Sequence, residues 1–168
     1  SSGGIGSQPH LAAELFKITA GVNIVHIAYK GAAAALNDTI GGQVFLLFSN
    51  TAAVAPHAKS GRLRSLAVTS AQPSALAPDL PTVAQAGFPG YEAAAMYGLF
   101  APAATPAMAG TRLNQETVRA LARSEVKERF FNAGVETVGS TPEQLLASIK
   151  SEMVRLGKVI KDAGIRGE

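Results

Sequence analysis

Apolar positions recur along this chain with two different periods. Between residues 8 and 20 they fall at helical spacing (Leu11, Leu15, Ile18), with Ser7 as a candidate N-cap, Pro9 near the first helical position and Gly21 placed to end the helix. Continuous apolar or β-branched runs then follow at 23–28 (NIVHIA), 43–48 (QVFLLF) and 63–69 (LRSLAVT). Each is short enough to read as a buried strand. Helical stretches separate them at 32–40, closed by Gly41-Gly42, and from 51 to about 59, where Pro56 interrupts or tightens the helix. Strand and helix alternating through short connections predict parallel β-α units, that is, a sheet with helices on its faces. Ligands of such sheets lie beyond the carboxyl ends of the strands, beside helix N-termini. The turns at 29–32 and 49–51 are therefore expected at a functional rim. The opening loop joins them if a strand precedes Ser1 in a longer parent chain.

The pattern changes after residue 70. A proline-rich stretch to Gly90 reads as an ordered surface loop holding one short helix at about 82–86, and 91–102 is strand-like. An amphipathic helix is predicted over 108–123 (Leu113, Val118, Leu121), and a shorter one, capped by Ser124, to Ala133. Thr141-Pro142-Glu143-Gln144 opens a long helix as a capping box with proline at N1, and Leu145, Ile149, Met153, Leu156 and Ile160 form its stripe. The domain boundary is expected between Tyr97 and Pro102.

The 168 residues suffice for one ordinary domain with a core. Hydrophobic residues make up 47% and charged residues 16%, which excludes a disordered chain. The net charge is only +3, and the 15 basic residues are scattered among 12 acidic ones. Nucleic-acid binders cluster such charge, so the excess reads as a mild bias toward anions. There is no cysteine, hence neither a disulfide framework nor a thiolate metal site. No apolar run reaches membrane-spanning length, and neither a signal peptide nor an initiator Met is present. The chain is expected to begin within a longer one.

The opening SSGGIGSQ lacks the Gly-Lys-Ser/Thr of a phosphate loop and the third glycine of the dinucleotide fingerprint. What remains is either a helix start suited to an anion or a plain glycine turn capped by Ser7. In the first case free amides, the hydroxyls of Ser2 and Ser7, and the helix dipole point at one carboxylate. His10, one turn into that helix, could hold the loop or touch a ligand. His26, alternating with apolar neighbours, reads as a satisfied core or edge histidine. The three histidines have no metal-ligand spacing. No nucleophile elbow or paired carboxylates suggest catalysis. Lys30 reads as either solvated or anion-pairing, and Gly31 permits a close backbone approach or positive φ. Ser49-Asn50-Thr51 repeats that arrangement at the next turn.

The tracts SGGIGSQPHLAAELF, VHIAYKGAAAALNDTIGGQV, FSNTAA, GRLRSLAVTS, PDLPTVAQAGFPGYE, YGLFAPAATP and GSTPEQL, in this order, resemble the periplasmic solute receptors of tripartite tricarboxylate transporters, the Bug family. The resemblance covers essentially the whole chain. It implies an α/β fold of the type II periplasmic-binding-protein kind, whose two lobes close on a small carboxylate and hand it to a membrane permease. It implies no cofactor, no metal and no catalysis. Residues 1–97 would be the complete second lobe with half of the cleft. Residues 98–168 would be a crossing strand and C-terminal helices of a partial first lobe.

Carried over from that family, Ser2, Gly3, Gly4 and Ser7 match one ligand loop, with His10 beside it. Tyr29, Lys30, Gly31 and Ala32 match a second ligand-facing turn, Ser49 and Asn50 a third, and Tyr97 lies near the crossing strand. Family members often carry Asp where Ser49 stands, which weakly disfavours amino-acid solutes here. The family's N-terminal P-x-R-P-I and Pro-Gly-Gly loop are missing from this sequence. Helices beyond Met108 would then expose an apolar face and associate with a second copy. Rival expectations are the effector domain of a transcription regulator with the same fold and a non-transport α/β enzyme domain.

Overall fold

The computed structural model describes residues 1–165. Six helices run through them: α1 (Gln8–Ala20), α2 (Ala32–Ile40), α3 (Thr51–Lys59), α4 (Ala107–Ala122), α5 (Ser124–Asn132) and α6 (Pro142–Asp162). Contacts divide the chain into two compact units. One holds Ser1–Ala95 and the chain from Arg155 on, and the other holds Met96–Val154.

The helix signals work as local chemistry predicts. Ser7, in extended conformation, caps α1 by accepting from the His10 amide, and Gly21 ends it in the left-handed conformation (φ 64°), its N–H donating to Lys17 O. The capping box of α6 is complete. The Thr141 amide donates to Gln144 Oε1 (2.9 Å) and the Gln144 amide to Thr141 Oγ1 (3.2 Å). α3 continues through Pro56. Two boundaries differ from expectation. Arg123, not Ser124, occupies the cap position of α5, with no side-chain cap bond. The helix expected at 82–86 is a single turn. Thr82 and Gln85 exchange the same reciprocal bonds as a capping box (2.9 and 3.1 Å), but the chain turns away at Gly87 with φ 115°.

Residues 23–28, 43–48, 63–69 and 91–102 were expected as strands. Among the described residues they form no ladder. Only two parallel bridges are present, Ser2 with Ala28 and Val68 with Thr82. Hydrogen bonding explains this, because the first two segments pair with the chain's opening residues rather than with each other. On one side the Ser2 amide donates to Ile27 O (3.3 Å), the Tyr29 amide to Ser2 O (3.1 Å) and the Gly31 amide to Gly3 O (3.0 Å). On the other side the Phe48 amide donates to Ser1 O (3.2 Å) and the Ser1 amino group to Leu46 O (2.6 Å). Three residues flanked on both sides are too few for a ladder, but they fix a parallel arrangement. Val68-Thr69 is held likewise. Val68 pairs with residues 81–83, and Thr69 O accepts from the Ala93 amide (2.8 Å). Phe45, 94% exposed, and Val25, 78% exposed, mark apolar faces that no described residue covers.

The core of the first unit is small. Ala12, Val83, Tyr91 and Ala93 are buried, with Leu15, Phe16, Phe48, Ala67 and Phe88 packed around them. Phe16 sits at its centre, with ring centroids 5.3 Å from Phe88, 6.0 Å from Phe48 and 6.3 Å from Tyr91. The buried face of α1 is made of His10, Ala12, Ala13 and Glu14, and Ile18 of the anticipated stripe is about half exposed. Small residues on that face let the helix backbone come close, so that the Tyr91 hydroxyl reaches Ala12 O (2.9 Å). From α6, Val159 is buried and Arg155 binds Glu92 through both its backbone carbonyl and its carboxylate. In the second unit α4 and α5 pack together, and Asn114 Nδ2 donates to Ser140 O (2.9 Å) just ahead of α6.

Tyr91 joins the apolar cluster to the backbone of α1. Tyr91→Phe is expected to cost about 1 kcal/mol, one buried hydrogen bond. Tyr91→Ala is expected to cost about 3–5 kcal/mol, the cost of removing a buried aromatic ring. Urea unfolding midpoints check both; equal midpoints for the two variants would contradict the packing described.

Candidate functional site

The paired opening residues bring two turns against each other. Gly31 donates to Gly3 O, and a methyl group on Gly3 would lie 2.8 Å from Ala32 N and 3.1 Å from its Cα. Only glycine lets the loop approach the first turn of α2 this closely. Gly31, the cap residue of α2, has φ 111°, a conformation that also favours glycine. Phe48 is bonded to Ser1 O, so Ser49 and Asn50 follow directly from the other side of the same short segment. The N-termini of α1, α2 and α3 thus start from three turns tied to Ser1–Gly3.

These helix starts retain donors. α2 and α3 have no side-chain cap bond. In the opening loop the amides of Gly3, Ile5 and Gln8 find no acceptor among the described hydrogen bonds, whereas those of Ser2, Gly4, Gly6 and Ser7 do. The loop is also braced internally: Ser7 Oγ donates to Gly4 O (2.8 Å). Unpaired first-turn amides and the positive end of each helix dipole favour an anion.

Each anticipated site residue has a definite place. Ser2 is fully buried, and its hydroxyl lies 2.8 Å from His26 Nε2 and 3.2 Å from Gly4 O. Gly3, Gly4 and Ser7 form the loop. His10 is buried and accepts the Gly6 amide at Nδ1 (2.9 Å). Tyr29 turns its hydroxyl to Asp38 Oδ2 (2.8 Å), an interaction that raises its pKa. Lys30, Gly31 and Ala32 are exposed, as is Asn50, while Ser49 is half-buried. Tyr97 is 73% exposed and belongs to the second unit.

The sequence reads His26 as a satisfied core or edge histidine, and it is half-buried and bonded to Ser2. Its ring stacks on His10, with centroids 3.9 Å apart and planes inclined by 18°. Burial pushes its pKa down to about 4, helped by His10, the Ser1 amino group and Lys17 and opposed by Glu14. Burial lowers His10 as well, and Lys17 adds to this; Glu14 opposes it. Glu14 is itself buried, with Oε1 3.7 Å from His10 Nε2 and Oε2 2.8 Å from Lys17 Nζ. Gln8 was missed. Its side-chain amide donates to Ala93 O (2.5 Å) and fastens the start of α1. No group of three or more metal-ligating side chains lies together among the described residues, and no described helix is long and apolar enough to cross a membrane.

Comparison with known proteins agrees with this architecture. Residues 1–165 match the TctC domain, the tripartite tricarboxylate transporter family receptor. BugT of Bordetella pertussis is 36% identical over 162 residues, which is 96% of this chain and 50% of BugT. Among solved structures, the R. palustris protein Rpa4515 with adipate is 37% identical. It superposes with a TM-score of 0.80 over 98% of this chain and 56% of its own. The periplasmic binding protein BugD is 32% identical, with a TM-score of 0.73 over 95% and 54%. The α/β periplasmic-binding fold is therefore the fold of this chain, which spans about half the length of BugT and of Rpa4515.

Gly3→Ala forces a methyl group against the Ala32 backbone, which has no flexible end to give way. A loss of roughly 1–3 kcal/mol in stability is expected, as for other overpacked sites. A thermal melt unchanged from the parent protein would show that the loop and α2 are not in this contact.

Proposed function

The chain belongs to the tripartite tricarboxylate transporter receptor family, and on that premise we propose that the protein carrying it is a periplasmic receptor for a small di- or tricarboxylate. It delivers this solute to the membrane permease of its transporter and performs no chemistry on it. The observation that carries this reading is the junction of three helix N-termini on Ser1–Gly3, with uncapped starts at α2 and α3 and free amides at Gly3, Ile5 and Gln8. An ionised carboxylate leaving water needs several charge-assisted hydrogen bonds to offset its desolvation. Backbone amides supply them without adding a titratable charge of their own. Lys30, exposed at the end of the second turn, adds long-range attraction for the anion. Adipate in the R. palustris relative is a solute of this class.

Carboxylate capture is tested by thermal shift on the full-length receptor with adipate, succinate, citrate and, as an uncharged control, 1,6-hexanediol. At a hundredfold excess over Kd a bound solute stabilises by about 2.7 kcal/mol, a rise of several degrees in Tm. At least one di- or tricarboxylate is expected to give that rise and the diol none. The 168-residue chain alone is expected to respond weakly, since it spans only half of BugT's length. Indifference to every carboxylate would overturn the reading.

The same reading has the 168-residue chain associate with a second copy through the helices beyond Met108. Met108, Leu113, Phe130, Phe131, Leu146 and Met153 are exposed, and apolar surface of this kind favours association. Sedimentation velocity is expected to show a dimer or larger species, and a monomer at high concentration would refute it.

A further inference from the structure

The glycine loop is bonded to the rest of the first unit at two side chains, and both are histidines. Near its start, Ser2 Oγ meets His26 Nε2 at 2.8 Å. At its tip, the Gly6 N–H donates to His10 Nδ1 at 2.9 Å. The two rings lie on each other at 3.9 Å, so the start and the tip are fastened to one stacked unit. Residues 10 and 26 come from different elements, α1 and the extended segment at 23–28, so the stack also couples those elements to the loop. We propose that the His10–His26 stack is the positioning device of the solute loop: it holds Gly3–Ser7 in the conformation that presents the free amides of Gly3 and Ile5, and contacts no solute itself.

The geometry dictates how the device works. Accepting from Gly6 requires His10 Nδ1 to be unprotonated, so the ring proton sits on Nε2, facing Glu14 Oε1 at 3.7 Å. A neutral ring is a matched partner for the loop. A protonated ring would set an N–H against the Gly6 N–H and a charge against the neighbouring imidazole. Burial favours the neutral rings, and so does Lys17; only Glu14 opposes them. Lowered pKa values mean that the anchored loop is fully present above the ordinary histidine pKa of about 6.5. It is lost as the pH falls from there through the lowered folded-state pKa of His10. A loop ordered before binding leaves less conformational entropy to be lost on capture, which is the advantage such an anchor confers.

The proposal rests on the carboxylate-receptor reading only for its effect on affinity. The anchoring itself is measured without solute, by amide exchange and proton shift of Gly6 in the NMR spectrum of the full-length protein. His10→Ala should expose Gly6 to roughly tenfold faster exchange at pH 7, the size expected for one lost hydrogen bond. His10→Asn, whose Oδ1 can stand in for Nδ1, should restore the protection. It should also abolish the acid-induced loss of Gly6 protection expected of the parent protein. His26→Gln should keep the Ser2 bond, where His26→Ala loosens Gly4. Unchanged Gly6 protection in His10→Ala would overturn the proposal. If that variant does not fold, the parent and His10→Asn pH profiles decide, and identical profiles overturn it. Adipate affinity should fall in His10→Ala and recover in His10→Asn. Lost protection with unchanged affinity would refute the role in binding. Protection that responds as expected in a protein that binds no carboxylate would support the anchor and overturn the receptor reading alone.

Discussion

Three residues set the terms for the rest of the first unit. Ser1–Gly3 accept or donate backbone hydrogen bonds on both sides, to residues 27–31 and to residues 46–48, and the register of those bonds decides where each following helix begins. A shift of one residue would turn Ser2 away from His26 and move Gly3 off the backbone of Ala32. The apolar cluster around Phe16 and Tyr91 supplies cohesion. The alignment of the turns comes from main-chain bonds instead, which is why so small a core suffices to hold them.

The polar groups beneath the loop divide into two kinds. Glu14 is a buried carboxylate matched by Lys17, a charge kept close to its counter-charge. His10 and His26 are instead kept neutral, and bond through lone pairs and N–H groups that change identity on protonation. The two rings beneath the rim therefore add no positive charge of their own to compete with the amides above them. Lys30 is the cation of the second turn, and it stands in solvent.

Much of the helical framework was legible because its signals are local. Ser7 and Gly21 bracket α1, Gly31 opens α2, and Thr141 with Gln144 opens α6, each within four residues of its partner or boundary. Strands are different. The runs at 23–28, 43–48 and 63–69 have the right composition, but a ladder depends on what lies alongside, and alongside the first two lie only three residues. The turns of the candidate site were legible through their glycines and the start of each helix. The histidine stack was not. One histidine among apolar neighbours looks like a core residue, and nothing between residues 10 and 26 announces that their rings meet. The engagement of Tyr29 with Asp38 was hidden for a similar reason, since the bond spans the whole second turn and the first two turns of α2.

The absent Cβ of Gly3 has an evolutionary consequence. Because its backbone lies against Ala32, a change in the path of the loop meets α2 at once, and the donors they present cannot be rearranged piecemeal. A lineage that alters what this rim meets would have to leave that block alone and rewrite the side chains that fringe it, Ile5, Lys30 and Asn50, all exposed. Such a protein can change its rim without reopening the question of how it folds.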